Sequence, residues 1–187
     1  MIIMDSKKSF WNSAASAGMV LGGVCVVYLI LNWLLSLVAD KSAATGIIAM
    51  LANIILWAAK FGGCIWLMKF FLLRFSEAFP EADNGDVFKY GMLVALFSAL
   101  IYSAAYLAYM LFLAPDQIQE VFDSLADNPM MNSNSLEMLE EMIPKMPTIS
   151  FFMNLVYCWL FGTVLSAIFS RNIPSSNPFR NNGIDEQ

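Results

Sequence analysis

Histidine is absent from the 187 residues, and only 13% of them are charged. Without an imidazole, a serine or cysteine nucleophile loses its commonest base, and metal sites of the usual nitrogen–sulfur kind lose half their ligands. The three cysteines, Cys25, Cys64 and Cys158, are widely spaced, form no C-x-x-C and fall inside apolar runs. They read as small apolar helix residues, so no metal, no cofactor and no catalytic residue is expected. The patterns HExxH, GxSxG and the P-loop are missing as well. Ser98 or Ser166 with Lys60 would imitate a Ser-Lys pair, but no spacing fixes it, and the chain is not expected to be an enzyme. No basic patch carries interleaved aromatics, which removes nucleic acid from the expected partners. Carboxylates are missing from every long apolar run, and this argues against an acidic proton relay.

The scarcity of charge is what a bilayer solvent demands, because a soluble domain carries about 25% charged residues and each charge in hydrocarbon is costly. Apolar residues make up 59% of the chain and gather into four runs, at about 11–38, 47–73, 88–113 and 149–169. Each is long enough for a membrane-spanning helix. The first follows a basic start, as a signal peptide does, and Ser42-Ala43-Ala44 mimics a cleavage site. Its apolar length nevertheless exceeds the ~7–15 residues of a signal core. Small residues recur in it at Ala14, Gly18 and Gly22, with Ala15 and Gly23 beside them. That spacing lets helices approach closely, either within the chain or between two copies. The 40–46 turn is short and predicts an antiparallel hairpin of spans one and two. Span three carries hydroxyls at Ser98, Tyr102, Tyr106 and Tyr109, all on one face of a helix.

Segment 114–148 holds seven acidic residues and one base, Lys145. Ile118, Val121, Phe122 and Leu125 repeat at helical spacing, and Leu136, Leu139, Met142 and Ile143 do so from Ser135 onward. Asn128-Pro129 separates the two stretches, while Pro144 and Pro147 are expected to close the second. Neither has the Lys/Arg-rich face that anionic lipid favours. They are expected to cap the bundle or to contact a protein. The tail, 171–187, is rich in Pro, Asn and Ser and is expected to be disordered. The predicted fold is all-α: an integral membrane four-helix bundle, forming one domain, with a short amphipathic helical cap between spans three and four.

Seven basic residues (Lys7, Lys8, Lys69, Arg74, Lys89, Arg171 and Arg180) fall on one side of such a bundle, and two, Lys41 and Lys145, on the other. The positive-inside rule puts both termini in the cytoplasm and the acidic insert outside it. Lys60 is the one charge well inside an apolar run, ~10 Å from the hydrocarbon boundary. No span offers it a carboxylate. Asn53 shares its face seven residues earlier, and Tyr102, Tyr106, Asn32 and Asn154 stand on other spans. A polar cluster of Lys60, Asn53, Tyr102, Tyr106 and Asn154 is therefore the candidate site, with a snorkelling lysine as the plainer alternative.

Three stretches carry a family resemblance: the opening WNSAASAGMVLGGVCVVYLIL, the approach to span three NGDVFKYGMLVALFSALIY, and the acidic APDQIQEVFDSL with LEMLEEMIPKM. Together they resemble the membrane family known as domain of unknown function 4199 over residues 10 to 172. The shared features are a glycine-containing first span, Gly-x-x-Phe-Lys-x-Gly at Gly85 to Gly91, and an amphipathic acidic insert. The resemblance implies a four-span inner-membrane protein of Bacteroidetes-type bacteria. It brings neither an activity nor functional residues. The expected function is that of a non-catalytic accessory or scaffolding subunit, associated with the lipid bilayer and with a protein partner or further copies of itself. The alternative is a small oligomeric transporter or channel lined by the Lys60 cluster.

Overall fold

The computed structural model describes residues 2–39, 43–113, 115, 119–120, 122–124 and 133–173. Among them no strand occurs. Helix α1 spans Ile2–Ala39, α2 Ala43–Ala78 and α3 Asn84–Ala108, the last continuing as a π-helical turn over Tyr109–Leu113. Then come α4, Ser133–Met142, a single 3-10 turn at Ile143–Lys145, and α5, Met146–Asn172. Four of the described helices are long and apolar enough to cross a membrane, over Ser9–Leu37, Gly46–Ala78, Asn84–Leu113 and Glu137–Asn172. By the length and composition of those helices this is an all-α membrane protein built as a four-helix bundle.

The helices outrun the apolar stretches at their ends. No proline or glycine interrupts Ile2 to Phe10, so α1 begins well before Trp11. Span three starts at Asn84 because Asp83 caps it: its Oδ1 accepts from the Asp86 amide at 2.8 Å. Such a cap is worth roughly 1 kcal/mol. Lys89 reaches back to Asp86 at 3.1 Å, one turn away. At the far end of the chain α5 runs through Arg171 to Asn172 and Ile173 is buried, so the expected disorder does not start at 171. Residues 174–187 lie outside the described residues. So does most of the first expected insert helix, of which 119–120 and 122–124 are helical.

The second insert helix stops as an α-helix at Met142, ahead of Pro144, where the prolines are expected to close it. The chain tightens into the 3-10 turn and resumes as α5, with each proline in the first turn of its element. There the missing N–H has no intrahelical acceptor to lose. The expected apolar stripe of α4 is also not uniformly covered: Leu139 and Ile143 are half-buried, but Met142 is exposed.

The bundle runs up-down-up-down, with α3 at its centre. Contacts of Gly18 with Val94 and Phe97, and of Gly22 with Ser98 and Ile101, put α1 parallel to α3. A Cβ on Gly18 would stand 2.5 Å from that of Phe97. The small-residue face of α1 is thus used inside the chain. On the other flank α5 is antiparallel to α3. A Cβ on Gly91 would collide with Ser166, and one on Gly162 with Ala95. Ser166 Oγ donates to the Phe88 carbonyl at 3.0 Å and closes this seam. A third of the most apolar window of span three is buried.

Helix α2 is different. Among its described side chains it buries only Met68, Leu72 and Phe75. These lie at the α2–α3 end, where Phe75 stacks on Tyr90 at 4.1 Å and Phe10 packs edge-on against both rings. From Ile47 to Trp57 the large side chains of α2 are exposed, except for the half-buried Leu56. Gly62 and Gly63 have nothing within 4 Å of where a Cβ would be.

The two kinds of glycine predict opposite outcomes. Gly162→Leu is expected to lose about 1–3 kcal/mol of stability through overpacking. Gly62→Leu should lose none in the isolated protein. Denaturant titration in neutral detergent, followed by tryptophan fluorescence, checks both.

Candidate functional site: a lysine among thiols and tyrosine rings

Lys60 stands on α2 where that helix draws away from α3. The space left there is a cavity of about 90 Å³ to which all four long helices contribute. Cys25 comes from α1, Lys60 and Cys64 from α2, Ser98 from α3, and Cys158 from α5. Apolar side chains, Phe61 and Leu165 among them, complete the wall.

Among the described residues the ammonium group has no carboxylate paired with it. It lies over two aromatic faces instead, 4.6 Å from the centroids of both Tyr28 and Tyr102. Each face presents the negative end of a ring quadrupole, worth ~0.5–1 kcal/mol where water competes and ~2 where it does not. Tyr102 is 9% exposed, so its ring is on the dry side of that range. Tyr106 is half-buried and continues the series, its ring 6.3 Å from Tyr102 and 6.0 Å from Tyr109.

The two asparagines of the expected cluster stand otherwise. Asn53 is exposed on α2, and Asn154 donates to the Ser150 carbonyl of its own helix at 2.9 Å. An amide in hydrocarbon needs an acceptor, and the carbonyl one turn back is always within reach. Asn32 is half-buried on α1.

Two features were not anticipated. One is Tyr28. Reflecting Lys60 across the expected 40–46 turn, of which 43–46 already belong to α2, lands within one helical turn of it, so the hairpin register alone carried the signal. The other is the convergence of the cysteines. Cys25 Sγ and Cys64 Sγ are 3.6 Å apart, and Cys158 lines the same cavity. All three are free thiols. Their wide separation along the chain hid a common depth in the bundle. Among the described residues no group of three His, Cys, Asp or Glu is placed to hold a metal. What the arrangement offers is one cation, polarisable thiols and a serine hydroxyl in an apolar wall.

Fold and site together define a polytopic α-helical membrane protein with a cationic, thiol-lined cavity at mid-bundle. Residues 16–171 match the family model described as "Protein of unknown function (DUF4199)", and the chain belongs to that family. No curated protein and no solved structure matches it. The Gly85-x-x-Phe88-Lys89-x-Gly91 stretch acquires a physical meaning here. Phe88 supplies the carbonyl that Ser166 binds, Lys89 pairs with the capped first turn, and Gly91 leaves room for Ser166.

Two outcomes test the site. Tyr102→Leu is expected to cost ~1–2 kcal/mol beyond Tyr102→Phe, which keeps a ring face. In a Lys60→Met background that difference should vanish, and a double-mutant cycle of unfolding free energies reads it. Separately, a membrane-permeant thiol oxidant is expected to join Cys25 to Cys64 within one chain. Cys158 should stay open to maleimide, and mass spectrometry of the peptides identifies the pair.

Proposed function

We propose that this protein is a non-catalytic accessory or scaffolding subunit of a membrane assembly, and that α2 carries its partner. The observation behind this reading is the outward face of α2. Ile55, Ala59, Gly62 and Trp66 fall at helical spacing and are all exposed. Gly62 and Gly63 make an open notch between large side chains. Gly18, Gly22, Gly91 and Gly162 are filled by a neighbouring helix, and Gly23 on α1 is a lone open glycine, whereas α2 has two in succession. Lipid gains nothing from a glycine notch, whereas a helix backbone seated in it gains close packing. The occupant that fits is a transmembrane helix of another protein.

A photo-reactive residue at position 59 or 66, one turn to either side of the notch, tests this in the native membrane. The expected product is one defined protein attached from both positions and lost in Gly62→Leu. Cross-links to lipid alone, or an unchanged pattern in Gly62→Leu, would remove the reading. Attachment to a second copy of the chain would shift it to a homo-oligomer.

The second reading, a small oligomeric transporter or channel, is favoured by the Lys60 cavity. A cationic wall suits an anion better than a cation. Liposome flux that falls with Lys60→Met would support it.

For placement, we infer a bacterial inner membrane with both termini in the cytoplasm, from the seven-to-two distribution of Lys and Arg between the two sides. Reporter fusions check this. A fluorescent-protein fusion after residue 187 is expected to light up, and a phosphatase fused at residue 116 to be active.

A further inference from the structure

A second cavity lies away from Lys60, at the α2–α3 end of the bundle. Its volume is about 260 Å³, larger than the ~150 Å³ that holds a benzene molecule in a protein core. Ser13 and Ser16 face it from α1, Arg74 from α2 and Tyr90 from α3, over a floor that includes Phe71 and Phe75. Three helices therefore converge on it, each with a hydrogen-bonding side chain.

The chemistry of the rim is one-sided. Arg74 contributes five N–H donors in a planar fork. Ser13 and Ser16 can each donate as well, the Tyr90 hydroxyl giving its own proton to Ser13, and among the described residues no carboxylate lines the cavity. Ser13 and Tyr90 are already held by each other, their oxygens 3.2 Å apart, which fixes both within the site. Arg74 has no ion-pair partner among the described residues. A cation with a fork geometry, beside hydroxyl donors and above an aromatic floor, suits an oxyanion with several acceptor oxygens attached to an apolar body.

Depth narrows the choice. Counting ~1.5 Å per residue from Ile47 across a hydrocarbon core of ~30 Å, Arg74 falls ~10 Å beyond the hydrocarbon, at headgroup level. We propose that the Ser13–Ser16–Arg74–Tyr90 cavity binds the phosphate of an anionic phosphate ester, with the headgroup of an acidic phospholipid as its natural source. The phosphate takes the guanidinium fork and the serine hydroxyls, and the acyl chains run down the outside of the bundle. A choline headgroup would bring a second cation against Arg74. The proposal does not depend on what α2 binds.

Native mass spectrometry of the full-length protein in neutral detergent tests it. The probes are dioleoyl-phosphatidylglycerol, dioleoyl-phosphatidylcholine and inorganic phosphate. The expected result is one phosphatidylglycerol retained in preference to phosphatidylcholine, about tenfold less in Arg74→Gln, and restored in part by Arg74→Lys. Lys69→Gln, a neighbouring exposed cation that does not line the cavity, should leave retention unchanged. Arg74 is exposed, so Arg74→Gln is expected to fold, and an unchanged tryptophan-fluorescence melt confirms it. Ser16→Phe, which fills the cavity and leaves the charge, should also lose the lipid. Binding of inorganic phosphate that depends on Arg74, with no lipid preference, would support the phosphate chemistry and assign a soluble ester as the source. Equal retention in wild type, Arg74→Gln and Ser16→Phe, or equal retention of the two lipids with no phosphate binding, would overturn the proposal.

Discussion

Helices surrounded by hydrocarbon have no hydrophobic drive toward one another, since lipid tails are as apolar as leucine. What draws α3 against two neighbours at once is the lack of side chain where the backbones meet. Gly18 and Gly22 open α1 to Val94, Phe97 and Ile101, while Gly91 and Gly162 open the other flank to Ser166 and Ala95. Close approach multiplies dispersion contacts, each worth only ~0.1–0.2 kcal/mol, and adds the Ser166 bond to the Phe88 carbonyl. The sandwich of α1, α3 and α5 is the closely packed part of the molecule.

That sandwich decides where α2 can go. With α3 covered on both sides, α2 meets the bundle through Met68, Leu72 and Phe75 and the aromatic cluster with Phe10 and Tyr90. Toward its N-terminal half it keeps its large side chains exposed, except for Leu56. The space between α2 and the sandwich at mid-bundle is the cavity, and Lys60 is the residue that stands in it. A lysine there would ordinarily call for a carboxylate. Two tyrosine faces serve instead, a solution that leaves the net positive charge of the site uncancelled.

The two cavities share a logic. Each holds a single cation with no acidic partner among the described residues, and each lies between α2 and the closely packed sandwich. They differ in depth and in lining. The Lys60 cavity has thiols and ring faces within the hydrocarbon, and the Arg74 cavity has hydroxyl donors at the headgroup level.

Much of the architecture was legible in the residues. Apolar run length gave four spans, the short 40–46 turn gave the α1–α2 hairpin, and the missing charges singled out Lys60. Composition cannot say which of two equally apolar faces meets a neighbour, and so the Gly91–Ser166 and Gly162–Ala95 seam was not visible before α3 and α5 were set side by side. The bonding of Asn154 was hidden for a related reason. Chemical type made Asn154 a candidate for Lys60, but its own helix offered an acceptor 2.9 Å away. The prolines near residue 144 signalled the stop of α4 at Met142 but not that a new helix starts on them, because a proline in a first turn has no intrahelical N–H bond to lose. The sequence by itself determined the solvent of this protein, the number of its spans and the one charge that must be accommodated, since those follow from hydropathy summed along the chain. Only the tertiary structure decided that Tyr28, Tyr102 and three distant thiols surround that charge, because a common depth and facing side are properties of packed helices and not of any one of them.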